Sequence, residues 1–429
     1  MARPWLLEMG PVYCCVWDLV LGSGNLRPSI NHYSLGLLED VFPTTTAPAC
    51  LSDMKIAITA DIHLHVDHPE RLNALRNILD QIRGRGVRYL FIAGDLFDQN
   101  NEASSRNLFE ELCREYPKIS VNVIPGNHDL DLRQDNFAYE NIRVYDHPTA
   151  FNCGSRALLL SPYASGSMAS ALTGAKALRQ VKGKEWILLG HGDYISGLRE
   201  PNPHEPGVYM PLSRSDKDKL GPRRVILGHI HKPTPLDAPL DGDVIYVGSP
   251  CAVDRSETGK RRYLIYNDEA RDPTHLFEEV EIQAEVLHFE ETFYVYPSAN
   301  EVSELKENVR NRIDSWKLRE EQLGTVRLKA ELIGAALDRK ALCNSLGDVF
   351  KAVRLLDDVD YKDLLSLTGP GPEEADLLSL VYDAMKQADA LQNGNSNGVE
   401  KSRQWCFDEN EPPIEQVKQE IMKLICEAR

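Results

Sequence analysis

The sequence predicts an α/β fold: a largely parallel inner sheet covered by helices, then a smaller α+β unit and C-terminal helices. Three observations carry that expectation. Short apolar runs at 55–60, 88–94 and 119–125 alternate with helical stretches, a βαβαβ opening that implies parallel strands with covering helices. Later strands crowd together and helices thin out, so the end of the first domain turns more antiparallel. After about residue 280 the chain changes character, with longer charged helices and a strand of period two.

The elements justify this in order. KIAITA is a short buried strand, and Leu72, Leu75, Ile78, Leu79 and Ile82 then recur on one helical face. RYLFIAG is a second strand, and Leu108, Phe109 and Leu112 mark the apolar side of a helix over 102–114. ISVNVIP is the third strand. A strand at 157–163, a helix over 166–181 and a strand in EWILLGHG follow. Residues 197–212 are rich in Pro, Gly and Glu and read as a long surface loop. RRVILGHIH, DVIYVGSP and RRYLIYN add three strands. Beyond them, 301–323 is amphipathic, TVRLKAEL is a strand with Val326, Leu328 and Ala330 on one face, and 338–356 is helical. Helices are also expected near 373–390 and at the C-terminus, the latter after the flexible LQNGNSNG.

Residues 1–53 lack a clear period and carry loop composition such as PTTTAPA. They read as an N-terminal extension, disordered or a start-site artefact with Met54 as initiator. The competing reading is an additional layer carrying Trp5, Leu6 and Leu7. The expected organisation is therefore 1–53 extension, 54–280 catalytic domain, 281–360 capping domain and 361–429 helical region.

Composition narrows the function. With 429 residues and a formal net charge of −17, the chain has no excess basic charge for non-specific nucleic-acid binding. Its 9 cysteines include no CxxC pair and suggest no disulfide framework, which points to a reducing cytoplasm. No apolar run is long enough for a transmembrane helix, and no membrane partner is expected.

The polar residues cluster where strands stop. Asp61 and His63 follow the first strand, Asp95 and Asp98 the second, and Asn127, His128 and Asp129 the third. His191 follows WILLG, and His229 and His231 follow VILG. Ligands in α/β folds bind at the carboxyl ends of strands, so five strand ends can deliver Asp, His and Asn to one place. Ala60, Gly94, Gly126, Gly190 and Gly228 precede the clusters and let the backbone turn sharply. An oxygen and nitrogen ligand set fits Mn, Fe or Zn at a catalytic centre. The supply exceeds what one ion needs and suits a pair bridged by a carboxylate, the usual device of phosphoryl chemistry.

In this order DIH, GDLFD, GNHD, HG and GHIH resemble the five signatures of the calcineurin-like metallophosphoesterase superfamily. GDLFD and GHIHKP followed by VIYVGSP resemble its SbcD/Mre11-type DNA exonuclease branch over about 54–266. The resemblance implies a four-layer αββα sandwich with a small capping domain. It implies that Asp61, His63 and His231 bind one metal and Asn127, His191 and His229 a second, with Asp95 bridging. Manganese is the metal it implies. His128 would assist the leaving group and Asp129 would orient and charge His128. The implied reaction is attack of metal-bound hydroxide on a DNA phosphodiester. The implied partners are DNA, an SbcC/Rad50-like ABC-type ATPase and a second copy of the chain in a homodimer. The alternative is the same metal centre acting on nucleotides, other small phosphodiesters or phosphoproteins.

Some residues carry two readings. Asp98 either hydrogen-bonds a histidine ligand or caps the following helix. His65 either lines the site or lies at the surface, and His68 reads as a cap or surface residue. Arg71 and Arg133 are surface arginines or backbone contacts to nucleic acid. Arg223, Arg224, Lys232, Lys260, Arg261 and Arg262 form a basic patch beside the site or a solvated edge. Ser249 either shapes the floor of the site or sits in a turn.

Overall fold

The computed structural model describes residues 54–98, 103–154, 156–196, 207–268, 276–296 and 300–363. The expectations for 1–53, for most of the loop at 197–212 and for the helices beyond 363 lie outside the described residues.

Strands β1 (Lys55–Thr59), β2 (Tyr89–Ala93), β3 (Ser120–Ile124) and β4 (Ile142–Val144) run parallel. Helices α1 (Pro69–Gly84) and α2 (Ala103–Arg114) make the first two crossovers. After β5 (Thr149–Cys153) and β6 (Arg156–Ser161), two short helices follow, α3 (Met168–Leu172) and α4 (Lys176–Val181). The single helix expected over 166–181 is broken between them, where Gly174 has φ 85°. Next come β7 (Trp186–His191) and a two-residue ladder of β8 (Tyr194–Ile195) with β9 (Leu212–Ser213), then α5 (Arg214–Leu220). The catalytic half closes with β10 (Arg224–Gly228), β11 (Val244–Tyr246), β12 (Arg262–Asn267) and β13 (Phe277–Glu281).

These strands form two sheets, ordered β13-β12-β1-β2-β3-β4 and β11-β10-β7-β6-β5. β12 and β13 join antiparallel, the late antiparallel turn that the sequence suggested. Alternation along each strand builds four layers. Ile56 and Ile58 of β1 pack between the sheets with Ile187 and Leu189 of β7. Ala57 faces the other way, into a core with Leu75, Ile78 and Leu79 of α1. Leu188 of β7 points outward to Met168 and Leu172 of α3. The result is an αββα sandwich in which strands from both sheets bring their ends to one rim.

A third sheet follows, with its own core. Among the described residues, β14 (Leu287–Val295), α6 (Glu301–Ser315), α7 (Glu320–Leu323), β15 (Val326–Gly334), α8 (Arg339–Val349), β16 (Arg354–Leu355) and β17 (Asp360–Asp363) make up this unit, and these strands pair in parallel. Val326, Leu328 and Ala330 face Leu305, Val309 and Ile313 of α6, the faces that period two and period 3.6 predicted. The helix expected over 301–323 stops at Ser315. Lys317 there has φ 51°, and the Trp316 ring turns back to stack on Phe289 at 4.0 Å.

Candidate metal centre

Asp61 and His63 lie just beyond β1, Asp95 just beyond β2, and Asn127, His128 and Asp129 beyond β3. His191 ends β7, and His229 and His231 follow β10. Strands β1 and β2 sit adjacent in the first sheet and β7 and β10 in the second. Their ends meet, and three groups form whose ligand atoms lie within 4.8 Å of one another: Asp61, His63 and His231; His63, Asp95 and His128; Asp95, His191 and His229. Asn127 joins the last, with Oδ1 2.7 Å from His191 Nε2.

The backbone is strained to achieve this. Asp61, His63, Asp95 and His229 have φ of 54°, 50°, 50° and 92°, a region that non-glycine residues rarely occupy and that costs on the order of 1–3 kcal/mol each. Hydrogen bonds hold them there: Asp61 N–H donates to Gly94 O at 3.0 Å and His63 N–H to Asp95 O at 2.9 Å. The side chains also hold neighbouring turns. Asp61 Oδ1 accepts from His229 N–H at 2.9 Å, and Asp95 Oδ1 from His128 N–H at 2.9 Å. The glycines serve this crowding. A Cβ at Gly94 would lie 1.9 Å from His191 Nδ1, and one at Gly126 would lie 2.1 Å from Asp95 Oδ1. They let the ligand-bearing turns approach each other.

The donor set fits a divalent cation. His231 Nδ1 is 2.7 Å from Glu257 Oε1, and His191 Nδ1 is 3.0 Å from Ala93 O. Both partners only accept, so Nδ1 carries the hydrogen in each ring. The neutral ring then turns a lone pair inward at Nε2. His231 Nε2 faces His63 Nε2 at 3.1 Å, and His191 Nε2 faces Asn127 Oδ1 at 2.7 Å and Asp95 Oδ2 at 3.3 Å. Asp61 Oδ2 is buried with no hydrogen-bond partner among the described residues. Acceptors pointing at acceptors in a buried pocket need positive charge between them.

Without a cation, these groups would balance charge through a proton on the His191 ring, in place of the lone pair that a metal would take. Burial, with a contribution from Asp95, pushes Asp61 up to about 6 against the pull of His191 and His231. Burial pushes His63 down to about 4. Burial would lower His191, but the Asp95 charge outweighs it and raises the ring to about 10. Burial would raise Asp95, but the facing imidazoles, His191 first, hold it well below the usual carboxylate range.

Asp129, next to His128 in the chain, is buried. Its carboxylate accepts from the backbone N–H groups of Leu96 at 2.8 Å, Phe97 at 3.1 Å and Gly126 at 3.3 Å. It clamps the second and third turns together and so places His128 through the backbone. Burial, with the nearby Asp95 charge, raises it to about 6. His128 is half-buried, its ring edge-on to His63 at 4.9 Å. Asp98 Oδ2 accepts from Arg71 Nη1 at 3.0 Å, and its other oxygen is 4.0 Å from His63 Nδ1. Arg71 also donates to His63 O at 2.7 Å and is buried, so it props up the first turn. Arg133 donates to the carbonyls of Leu130 and Leu132 and pairs with Asp146 at 3.4 Å. His65 Nδ1 accepts from Asp67 N–H, and His68 sits at the start of α1 without a side-chain cap bond, its ring 3.0 Å from Glu70.

Two residues that sequence reasoning passed over reach the site. Glu257 holds His231. Buried Asp193 Oδ2 accepts from Tyr209 N–H at 2.7 Å, and Tyr209 lies 5.0 Å from His229, centroid to centroid. The only sequence cue for Asp193 was its place two residues beyond His191 in GHGD. Glu257 had none, because it lies in a loop 26 residues from the histidine it holds.

Fold and site together give an αββα sandwich with a candidate metal centre where strand ends of both sheets meet. Residues 54–233 match the family model for Calcineurin-like phosphoesterase, the stretch that carries all seven candidate ligands. An uncharacterized metallophosphoesterase, YhaO, of Bacillus subtilis (strain 168) is 29% identical over 258 residues, which cover 53% of this chain and 60% of that protein. TT1561 of Thermus thermophilus aligns over 54% of this chain and 100% of its own, at 15% identity and a TM-score of 0.36. Purple acid phosphatase PPD1 from yellow lupin (Lupinus luteus) seeds aligns over 50% of this chain and 49% of its own, at 14% identity and a TM-score of 0.34. Structural likenesses this weak carry no argument about substrate. None of these matches specifies the DNA exonuclease branch.

Proposed function

We propose that the chain is a two-metal phosphodiesterase acting on nucleotides or other small phosphodiesters. The observation that carries the metal chemistry is the buried convergence of acceptor atoms from Asp61, His63, Asp95, Asn127, His191, His229 and His231. Asp61, His63 and His231 would hold one cation, and Asn127, His191 and His229 the other, with Asp95 between them. Divalent ions such as Mn, held there, would lower the pKa of water and offset charge growing on the phosphoryl oxygens. His128, at the half-buried edge, would hold the proton that the departing ester oxygen takes up. Asp129 and Asp95 fix its backbone, so its ring is aimed before substrate arrives.

Charge favours a small substrate over a duplex. The basic stretch expected beside the site is largely spent within the fold. Arg261 is buried against Glu257 and Ser249, Arg262 pairs with Glu279, and Lys260 lies 3.1 Å from Glu281. Arg224 donates to Gly242 O. The second reading is the DNA nuclease that works with an ABC-type ATPase and as a homodimer. It is favoured by the third sheet, which adds a separately packed unit after the phosphoesterase segment.

The test is hydrolysis of bis(p-nitrophenyl) phosphate, cyclic and linear dinucleotides, and single- and double-stranded DNA with Mn²⁺. Wild type is compared with His128→Ala, which should lose about 10²–10⁴-fold of its rate if the imidazole moves the proton. Turnover of DNA alone would favour the second reading, and no metal-dependent turnover of any ester would refute both.

A further inference from the structure

We propose that Glu257 is the positioning residue for His231, and that it is what makes one of the two cation sites tight. The inference rests on the reading of the site given above. The histidines differ in how they are held. His191 is fully buried, and its Nδ1 is fixed by the carbonyl of Ala93 at 3.0 Å. His231 lies in the turn beyond β10, with a side chain 21% exposed. Its ring is less enclosed than that of His191, which has no exposure.

Glu257 holds this ring. Its Oε1 lies 2.7 Å from His231 Nδ1 and also accepts from Asp254 N–H at 3.2 Å. Its Oε2 accepts from Ser249 Oγ at 2.8 Å and faces Arg261 Nη1 at 3.4 Å. Arg261 is buried and donates to Ser249 Oγ at 3.2 Å, to His231 O at 3.3 Å and to the Glu257 carbonyl. The carboxylate is therefore bound at both oxygens. It can select the Nδ1–H tautomer of His231 and aim Nε2 inward, as carboxylates do behind metal-ligating histidines.

The loop that carries Glu257 is anchored at its far end as well. Thr258 bridges to His288 of β14, and Gly259 N–H donates to His288 O at 2.9 Å. The third sheet thus holds the two residues that follow Glu257.

The experiment titrates the full-length chain with Mn²⁺ by calorimetry and with Co²⁺ by visible absorption. It compares wild type with Glu257→Ala, Glu257→Gln and Ser249→Ala, and records the melting temperature of each metal-free protein. Glu257→Ala should weaken one of two binding events by about 10–100-fold and alter the Co²⁺ spectrum. Glu257→Gln keeps an oxygen able to accept from Nδ1–H and should recover part of the loss. Ser249→Ala keeps the contact of Glu257 to His231 but loosens its other oxygen, and should weaken binding much less than Glu257→Ala does. The proposal is overturned if Glu257→Ala binds both ions like wild type. It is also overturned if Ser249→Ala weakens binding equally, or if Glu257→Gln fails to improve on Glu257→Ala. Should Glu257→Ala not fold, Glu257→Gln is set against wild type: a partial loss at one binding event supports the proposal, and unaltered binding overturns it. A wild-type chain that takes up no metal would refute the site itself, whereas unaltered binding in the Glu257 variants would refute only this inference.

Discussion

The two-sheet sandwich and the third sheet both rest on parallel strands with crossover helices, the sandwich adding antiparallel strands at its edges, yet they treat polar groups in opposite ways. At the sandwich rim, Asp61, His63, Asp95 and His229 adopt positive φ and are buried. In the third unit the buried charged residue is Glu301, and its carboxylate is satisfied by Leu337 N–H at 2.7 Å and Asp338 N–H at 3.0 Å. Lys317 is the non-glycine residue with positive φ among the described residues of that unit, and it lies in a turn after α6. Both regions bury aliphatic side chains well. Among the described residues, only the rim combines backbone strain with clustered, unmatched acceptors, an arrangement that folding alone does not favour.

That contrast can be broken by experiment. The largest effect is expected from Asp95→Ala, which removes the carboxylate shared by two of the three ligand groups. Metal-dependent phosphoesterase activity should fall below detection while far-ultraviolet circular dichroism stays native. Retained activity would show that the shared carboxylate is not needed. Leu328→Ala in β15 should act the other way. It empties a fully buried position and should cost about 2–5 kcal/mol in denaturant unfolding. Below the transition the number of Mn²⁺ ions bound should not change.

Gly94→Ala comes next in size. Its φ of 92° and the approach to His191 leave no room for a methyl group. A loss of about 1–3 kcal/mol from backbone strain alone is expected, together with weakened metal binding. A variant that keeps both stability and metal affinity would show that the turns are looser than described. Arg133→Ala should have the smallest effect. This half-exposed side chain pairs with Asp146 at 3.4 Å, and such pairs contribute about 0–1 kcal/mol. Melting temperature and activity should both stay near wild type. A fall in DNA hydrolysis alone would restore the nucleic-acid contact considered from the sequence.

Much of this was legible because strand ends announce themselves. A run such as VIPGNHD states its own architecture: an apolar strand, a glycine where a Cβ would strike Asp95, then side chains released at the carboxyl end. The alternation of Ile56, Ala57 and Ile58 likewise contains the layer assignment. Contacts made by atoms outside the motifs were not legible. The backbone amides that Asp129 accepts from, two of them in another turn, are contacts that a sequence does not display. Arg71 and Arg261 look like surface cations in one dimension and are buried in three. Helix ends were also blurred, because a single left-handed residue, Gly174 or Lys317, redirects the chain against its apolar period.

The central claim is that seven side chains from five strand ends hold divalent cations. The most direct test is the metal content of the purified full-length chain by inductively coupled plasma mass spectrometry after equilibration with Mn²⁺ and gel filtration. Two ions per wild-type chain are expected, with clear loss in Asp95→Ala. Wild-type protein that retains no metal and hydrolyses phosphate esters equally well in chelator would contradict the account.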